Sequence, residues 1–168
     1  RDLDLATLPA GDVDRGLLVM NSSATDGAQN NTFDGLSVRL SRTNPGSIGV
    51  QQLAVTTPTS AAGANSNNHY FNFDVANVAA GVYFKGGLAV PDLGTQLGTR
   101  YGGVTTIGGA SPGDIANGTD LTWGVRAAGQ SGLKVFDCTI RNITGGGAGT
   151  VDGLWLDNSG ALTTNLGD

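Results

Sequence analysis

The feature of this sequence that most constrains its fold is an internal repeat of short, alternating segments. Residues 70–78 superpose on residues 135–143 without a gap, and residues 32–40 fit after a slip of one residue. The matched pairs are Phe71 and Phe136, Phe73 and Cys138, Val75 and Ile140, Asn77 and Asn142, and Val78 and Ile143; the slipped segment turns Leu36, Val38 and Leu40 inward. Alternation with a period of two is the pattern of a β-strand with one buried face, so these segments are predicted to be equivalent strands.

A second repeated element is a glycine followed by a short alternating strand. It occurs at residues 49–51, 81–84, 124–127 and 153–156, and residues 16–20 are an earlier relative. Of the 168 residues, 28 are glycine and none is glutamate, and no segment has a convincing helical period. Glycine, asparagine, threonine and serine favour turns and strands, so a helix bundle is excluded.

Recurring strands with connections of variable length predict an all-β, right-handed parallel β-helix of about four to six irregular coils. In such a solenoid, equivalent residues stack about 4.8 Å apart and the turns vary at little cost. We expect coils near residues 3–23, 32–56, 69–90 and 120–157, and a long loop excursion over 91–119 that contains an extra strand at 104–107. Residues 1–168 then form a single solenoid block, part of a larger surface protein or polymer.

Several segments resemble coils of large secreted bacterial proteins with the right-handed parallel β-helix, or pectate-lyase-like, fold. These segments are residues 30–33, 42–49, 67–73, 77–83 and 139–144. The resemblance covers roughly residues 15–168. It implies a location outside the cell or on its surface, as in an adhesin or fibre. It does not imply an activity, because the same fold hosts lyases, hydrolases and adhesins.

An alternative fold is the β-sandwich or Ig-like subunit of an extracellular fibre, assembled by donated strands. Residues 3–12, followed by 17–21, are similar to the opening of such subunits, and residues 70–73 with 78–83 look like a closing hairpin. The internal repeat favours the β-helix, because a sandwich need not repeat.

The charge of the chain excludes some partners. A net charge of −5 and a pI near 4.5 leave no basic stripe that would neutralise phosphates, so no nucleic-acid partner is expected. No apolar segment approaches the roughly 20 residues that cross a bilayer, so no membrane insertion is expected.

Catalytic residue types are sparse. The single histidine, His69, lies beside a predicted strand and is interpreted as a turn or surface residue, and Cys138 is interpreted as a small core residue. Asp34 and Asp137 each follow a phenylalanine that takes an equivalent place in the repeat. Stacked coils could bring two such carboxylates to the spacing that glycosidases use. A polysaccharide lyase or glycoside hydrolase on the same scaffold therefore stays open as an alternative, and a non-enzymatic function is favoured.

No cofactor is expected, except that calcium is considered at Asp12 and Asp14. These two aspartates lie between glycines, as in some calcium-binding loops, but the terminal glutamate of an EF-hand is missing. No metal site of another type is predicted.

The candidate binding surface is an outward column. Aligning the glycine strands brings Gln51, Tyr83, Arg126 and Trp155 to one position, pointing away from the core. Tyrosine and tryptophan suit sugar faces or protein partners, and Arg126 would hold acidic glycans through two hydrogen bonds. The alternative is that Trp155 packs beneath the turn at 144–150.

These observations predict a non-enzymatic structural or adhesive module of a bacterial surface protein, with carbohydrate or protein binding on its outer face. The expected partners are neighbouring coils, other domains or copies of the same chain at the open ends of the solenoid, together with glycans.

Overall fold

The computed structural model describes residues 2–4, 14–117, 121–145 and 150–157. Within them, the only helical element is a 3-10 turn at Ala61–Gly63. Sheet 1 contains β1 (Asp2–Asp4), β4 (Ser37–Arg39), β7 (Asp74–Ala76), β11 (Thr105–Ile107) and β16 (Cys138–Ile140). Sheet 2 contains β3 (Thr32–Asp34), β6 (His69–Phe71), β10 (Gln96–Gly98) and β15 (Lys134–Phe136). Sheet 3 contains β2 (Arg15–Met20), β5 (Ile48–Leu53), β8 (Ala80–Lys85), β13 (Thr122–Ala128) and β18 (Val151–Asp157). Two strand pairs complete the structure: β9 (Asp92–Leu93) with β14 (Gln130–Ser131), and β12 (Ile115–Asn117) with β17 (Ile143–Gly145).

All neighbouring strands in these sheets are parallel. The chain passes through sheet 2, sheet 1 and sheet 3 in this order and then repeats it. β6 therefore pairs with β3, β7 with β4, and β8 with β5. Parallel neighbours require a long crossover, and here each crossover is a passage through the other sheets. The prediction of an all-β fold is confirmed, and the parallel sheets are compatible with a solenoid.

The β-sandwich alternative is wrong. Sandwiches of the Ig type consist of antiparallel sheets, whereas the described residues contain one antiparallel contact, an isolated bridge between Ser23 and Asp26. The segments expected to form a closing hairpin, residues 70–73 and 78–83, instead contribute to β6 and β8, which pair in parallel with β3 and β10 and with β5 and β13.

The structure places the two repeated segments in the same rows, where a row is the set of residues at one register position of neighbouring strands. Val75 and Ile140, for example, both align with Ile107. The alignment was right, but the segments are not in successive layers, because β10 and β11 lie between them. Residues 91–119, expected to form a loop excursion, therefore supply β9 to β12.

Left-handed residues mark the corners between sheets. Asn30, Asn67, Gly94 and Gly132 precede the four strands of sheet 2, and all have φ between 57° and 66°. Asn77 and Asn142 have φ of 52° and 55°, and each donates its side-chain amide to a carbonyl of the neighbouring layer. Asparagine and glycine tolerate this conformation better than other residues. These corners account for part of the asparagine and glycine content of the chain.

The repeated glycine brings sheet 3 close to sheet 1. A Cβ atom on Gly81 would lie 2.6 Å from the Cγ2 of Ile107 and closer still to the carbonyl oxygen of Gly124. Gly16, Gly49 and Gly124 would likewise collide with Val38, Val75 and Ile140 of sheet 1. The valines that follow three of these glycines, Val50, Val82 and Val125, are fully buried. We call Gly16, Gly49, Gly81 and Gly124 the glycine row. The interior is too narrow for any side chain at these four positions.

Replacing Gly81 with alanine should lower the free energy of unfolding by about 1–3 kcal/mol or more, because overpacking against backbone cannot relax easily. Gly153→Ala is the matched control: Gly153 occupies the same place in β18, and a Cβ there meets no atom within 4 Å. Its effect should stay within about 0.5 kcal/mol. Denaturant unfolding measures both, and equal losses would contradict the close approach.

Candidate functional site

The register brings the predicted column into one row on the outer face of sheet 3. Gln51 aligns with Tyr83, Tyr83 with Arg126, and Arg126 with Trp155. Inward-facing valines flank the row, so its side chains leave the sheet on the opposite side from the core. Whether this row binds a ligand stays a prediction.

Gln51 is not accessible. Only 5% of its surface is exposed, and its side-chain oxygen accepts a hydrogen bond from Nε of Arg15. The guanidinium of Arg15 also donates to the carbonyl of Gly46. Gln51 is therefore a packed residue of the sheet surface and contributes nothing to a ligand site.

Arg126 is the centre of the remaining cluster. Its guanidinium carbon lies 3.7 Å from the ring centroid of Trp155, 5.0 Å from that of Tyr83 and 5.3 Å from that of Trp123. One terminal nitrogen, Nη2, forms a 2.8 Å ion pair with Asp157. The buried Nε has no hydrogen-bond partner among the described residues. Arg126 is thus a packed cation held by aromatic faces, rather than the free two-pronged donor expected for acidic glycans.

Trp123 belongs to this cluster although sequence reasoning missed it. Its ring contacts that of Tyr83 edge to face at 5.8 Å and that of Trp155 at 6.3 Å, and its Nε1 donates to the carbonyl of Val82 at 3.1 Å. The cause is the glycine row: Gly124 and Val125 both face the interior, which interrupts the alternation of β13. An aromatic residue immediately before such a glycine was the available signal.

We call Tyr83, Trp123, Arg126, Trp155 and Asp157 the aromatic cluster. All five side chains are half-buried. Burial raises the pKa of Tyr83, and the nearby Asp157 carboxylate adds to this effect while Arg126 opposes it. The Arg126 and Asp157 charges cancel. The cluster therefore presents partly exposed rings without net charge, a surface suited to neutral, partly apolar ligands.

The other residues singled out in the sequence do not assemble a catalytic site. His69 is half-buried in β6, and its ring lies 5.6 Å from that of Phe71. Cys138 is half-buried, packs against the core and donates to the carbonyl of Phe136 at 3.2 Å. Burial raises the pKa of this thiol to about 11, so it is protonated at neutral pH.

The proposed pairing of Asp34 with Asp137 is wrong. Phe33 pairs with Tyr70, whose row continues to Val135, so Phe33 and Phe136 are not equivalent. Asp34 ends β3, and Asp137 follows β15, at opposite edges of sheet 2. Three strand spacings separate these edges, about 14 Å, whereas glycosidase carboxylates stand about 5–10 Å apart.

Of the two calcium candidates, Asp14 belongs to the described residues and Asp12 lies outside them. Asp14 is 6% exposed and accepts a 2.9 Å hydrogen bond from the side-chain amide of Asn44. In the described ranges, no three histidine, cysteine or acidic side chains gather closely enough to hold a metal ion.

A buried polar cluster lies inside the fold, beside the aromatic core. Asp92 is fully buried and accepts hydrogen bonds from the side-chain amides of Gln52 at 2.7 Å and Gln130 at 3.1 Å, and from the backbone of Asn65 at 2.8 Å. Gln52 in turn accepts from the hydroxyl of Tyr70 at 2.8 Å. These bonds connect β5, β9 and β14. The carboxylate is held by neutral donors, and burial raises its pKa despite them.

This burial predicts a distinctive pH dependence. Because the folded-state pKa of Asp92 is raised, its protonated form favours folding, and that contribution is lost as the pH rises above the ordinary aspartate value of about 3.9. The stability of the chain relative to Asp92→Asn should therefore fall between acidic and neutral pH, by about 1.4 kcal/mol for each unit of pKa elevation.

Asp34→Asn controls for the loss of one charge, because Asp34 is exposed. Unfolding free energies of the three chains, measured by denaturant titration over this pH range, test the prediction. A constant difference between the wild-type chain and Asp92→Asn would contradict it.

Comparison with known proteins gives no match: no family model, curated protein or solved structure is similar to the chain. Among the described residues, no helix has the length and apolar character required to cross a bilayer.

Proposed function

We propose that this chain is a non-enzymatic structural and adhesive module of a bacterial extracellular or cell-surface protein. In this proposal it folds as a right-handed parallel β-helix of five irregular coils, and its outer face binds a glycan. The stacked parallel strands support the structural part, because a continuous hydrogen-bonded ladder along one axis gives a rigid, extended body.

The observation that carries the binding part is the grouping of three aromatic rings around one neutralised cation on an outer sheet face. Aromatic rings offer flat apolar area to the C–H faces of a sugar, and nearby polar groups orient its hydroxyls. Because Arg126 is already paired with Asp157, we expect a neutral glycan rather than the acidic one that the sequence suggested.

The alternative of a polysaccharide lyase or glycoside hydrolase has less support. The carboxylate pair expected from the sequence is separated by three strand spacings. His69 contacts the ring of Phe71, and no polar side chain in the described part of the chain is placed to activate it as a base. Cleavage of uronic-acid polysaccharides, abolished by Asp→Asn changes, would replace the binding proposal with this alternative.

The exposure of the last described layer supports the proposal that neighbouring coils, domains or copies stack on the chain. Leu154 is 40% exposed, although Val50, Val82 and Val125 in the same row are fully buried. Within the described residues, β18 pairs only with β13. Unpaired edges of this kind attract further strands.

The two tryptophans make the glycan proposal directly measurable, because both belong to the aromatic cluster. A glycan selected from an array should change the intrinsic tryptophan fluorescence in a saturable manner. Trp155→Ala should reduce its affinity about tenfold or more, as expected when an aromatic anchor is removed from a binding surface.

Tyr101→Ala is the matched control: Tyr101 is 83% exposed and lies outside the aromatic cluster, so its removal should leave binding unchanged. Far-UV circular dichroism confirms that both variants fold. Glycan binding that persists in Trp155→Ala, or binding without any fluorescence change, would place the site elsewhere and overturn the proposal.

The stacking proposal predicts that the isolated chain self-associates as its concentration rises. Sedimentation velocity over a range of concentrations should show a growing share of larger species, because each stacking event buries the apolar end layer. A monodisperse monomer at high concentration would contradict this part of the proposal without affecting glycan binding.

A further inference from the structure

A cavity of about 370 Å³ lies on the outer face of sheet 1, away from the aromatic cluster. Its lining includes Arg39, Asp74, Val104, Thr106, Gly109 and Arg141. Its volume is at the lower end of the range found for small-molecule sites. Val104 is 66% exposed and supplies an apolar side, while Asp74 and Thr106 are neighbours in one outward row.

The register explains why this surface is concave. Arg39 aligns with Ala76 at the ends of β4 and β7, and Gly108 and Arg141 directly follow β11 and β16, the next two strands of the sheet. The two central positions therefore carry at most a methyl group, between two long cationic side chains. Three strand spacings, about 14 Å, separate the backbones of the two arginines. The result is a shallow floor with a guanidinium at each end.

The two arginines differ in how they are engaged. Arg39 forms an ion pair with Asp74 and also donates to the carbonyls of Val38 and Asp74. The side chain of Arg141 is exposed, and its Nε donates to the carbonyl of Gly108 at 3.2 Å. Its two terminal nitrogens have no partner among the described residues. The guanidinium of Arg141 is thus held by the backbone through Nε, and its two terminal nitrogens are available to a ligand.

An exposed guanidinium whose Nε is fixed by the backbone presents its terminal nitrogens in a defined direction, which favours an oxyanion over water. Asp74 neutralises Arg39 in the free chain, so the unpaired charge of the cavity is that of Arg141. An anionic group would therefore bind at the Arg141 end.

We propose that this cavity binds a carboxylate-bearing small molecule about the size of a monosaccharide, with its carboxylate on the terminal nitrogens of Arg141. The hydroxyl of Thr106 and the carboxylate of Asp74 then face the hydroxyl or amino groups of the ligand, and Val104 covers its apolar side. The proposal uses a different sheet from the aromatic cluster and does not depend on glycan binding there.

The test uses glucuronate as the probe and glucose as its neutral counterpart, with heteronuclear NMR titration of the whole chain at low salt. Glucuronate should shift the amide signals around Gly108 and Arg141 in a saturable manner, and glucose should not. Arg141→Gln should weaken glucuronate binding about tenfold or more, in line with the loss of a charge-assisted hydrogen bond. Sulfate and acetate titrations distinguish a site for the ligand as a whole from one for any oxyanion.

Two further variants make the result decisive. Arg100→Gln removes an exposed cation that packs on Phe71 and Tyr101 outside the cavity, and it should leave binding unchanged. Asp74→Asn removes a negative charge from the cavity lining but keeps a side-chain oxygen that can face the ligand's hydroxyls, so it should tighten binding of the glucuronate anion several-fold.

Equal losses in Arg141→Gln and Arg100→Gln would show nonspecific charge attraction and overturn the proposal. So would equal shifts with glucose, or the absence of saturable binding at millimolar glucuronate. Sulfate or acetate binding as tight as glucuronate would overturn the claim that the ligand is sugar-sized. None of these outcomes bears on the aromatic cluster, because its variants are read out separately by tryptophan fluorescence.

Discussion

The close approach of sheet 3 to sheet 1 is the constraint on which the rest of the structure depends. Gly49 and Gly81 lie directly against Val75 and Ile107, with no space for a Cβ. This contact leaves a narrow interior and makes two consecutive residues of β5, β8 and β13 face inward, the glycine and the valine that follows it. The interruption in turn determines which side chains reach the outer face. The aromatic cluster on that face is therefore a consequence of how the core is packed.

The repeat in the sequence predicted much of the fold because the same physical demand recurs in each layer. Asn77 and Asn142 match because both adopt a left-handed corner conformation and donate to the neighbouring layer. Inward Val75 and Ile140 match because both pack above the glycine row. Such positions tolerate few residue types, so their identities survive from one layer to the next and can be read from one chain.

The layer between them escaped prediction for an equally physical reason. Gly98 occupies the row position of Phe71 and Phe136, so β10 lacks the aromatic marker of its neighbours. Its lack of a side chain leaves room for those two rings, which approach to 6.2 Å from layers on either side. A complementary substitution of this kind is invisible to a search for repeated residues. The candidate site was only partly predictable for a similar reason: alternation located Tyr83 and Trp155, but not the partners of Arg126.

Stacking also limits how charge can be placed on the outer faces. Neighbouring residues of a row stand about 4.8 Å apart, where two like charges repel by about 1 kcal/mol even in water. In sheet 3, Arg126 has aromatic neighbours on both sides of its row. In sheet 1, β7 and β11 lie between β4, which carries Arg39, and β16, which Arg141 follows. The outer face of sheet 3 thus carries one cation among aromatic rings, and the outer face of sheet 1 carries two cations with small residues between them. A stacked fold that carries only 14% charged residues can in this way present two chemically different surfaces, one neutral and aromatic and the other cationic and concave.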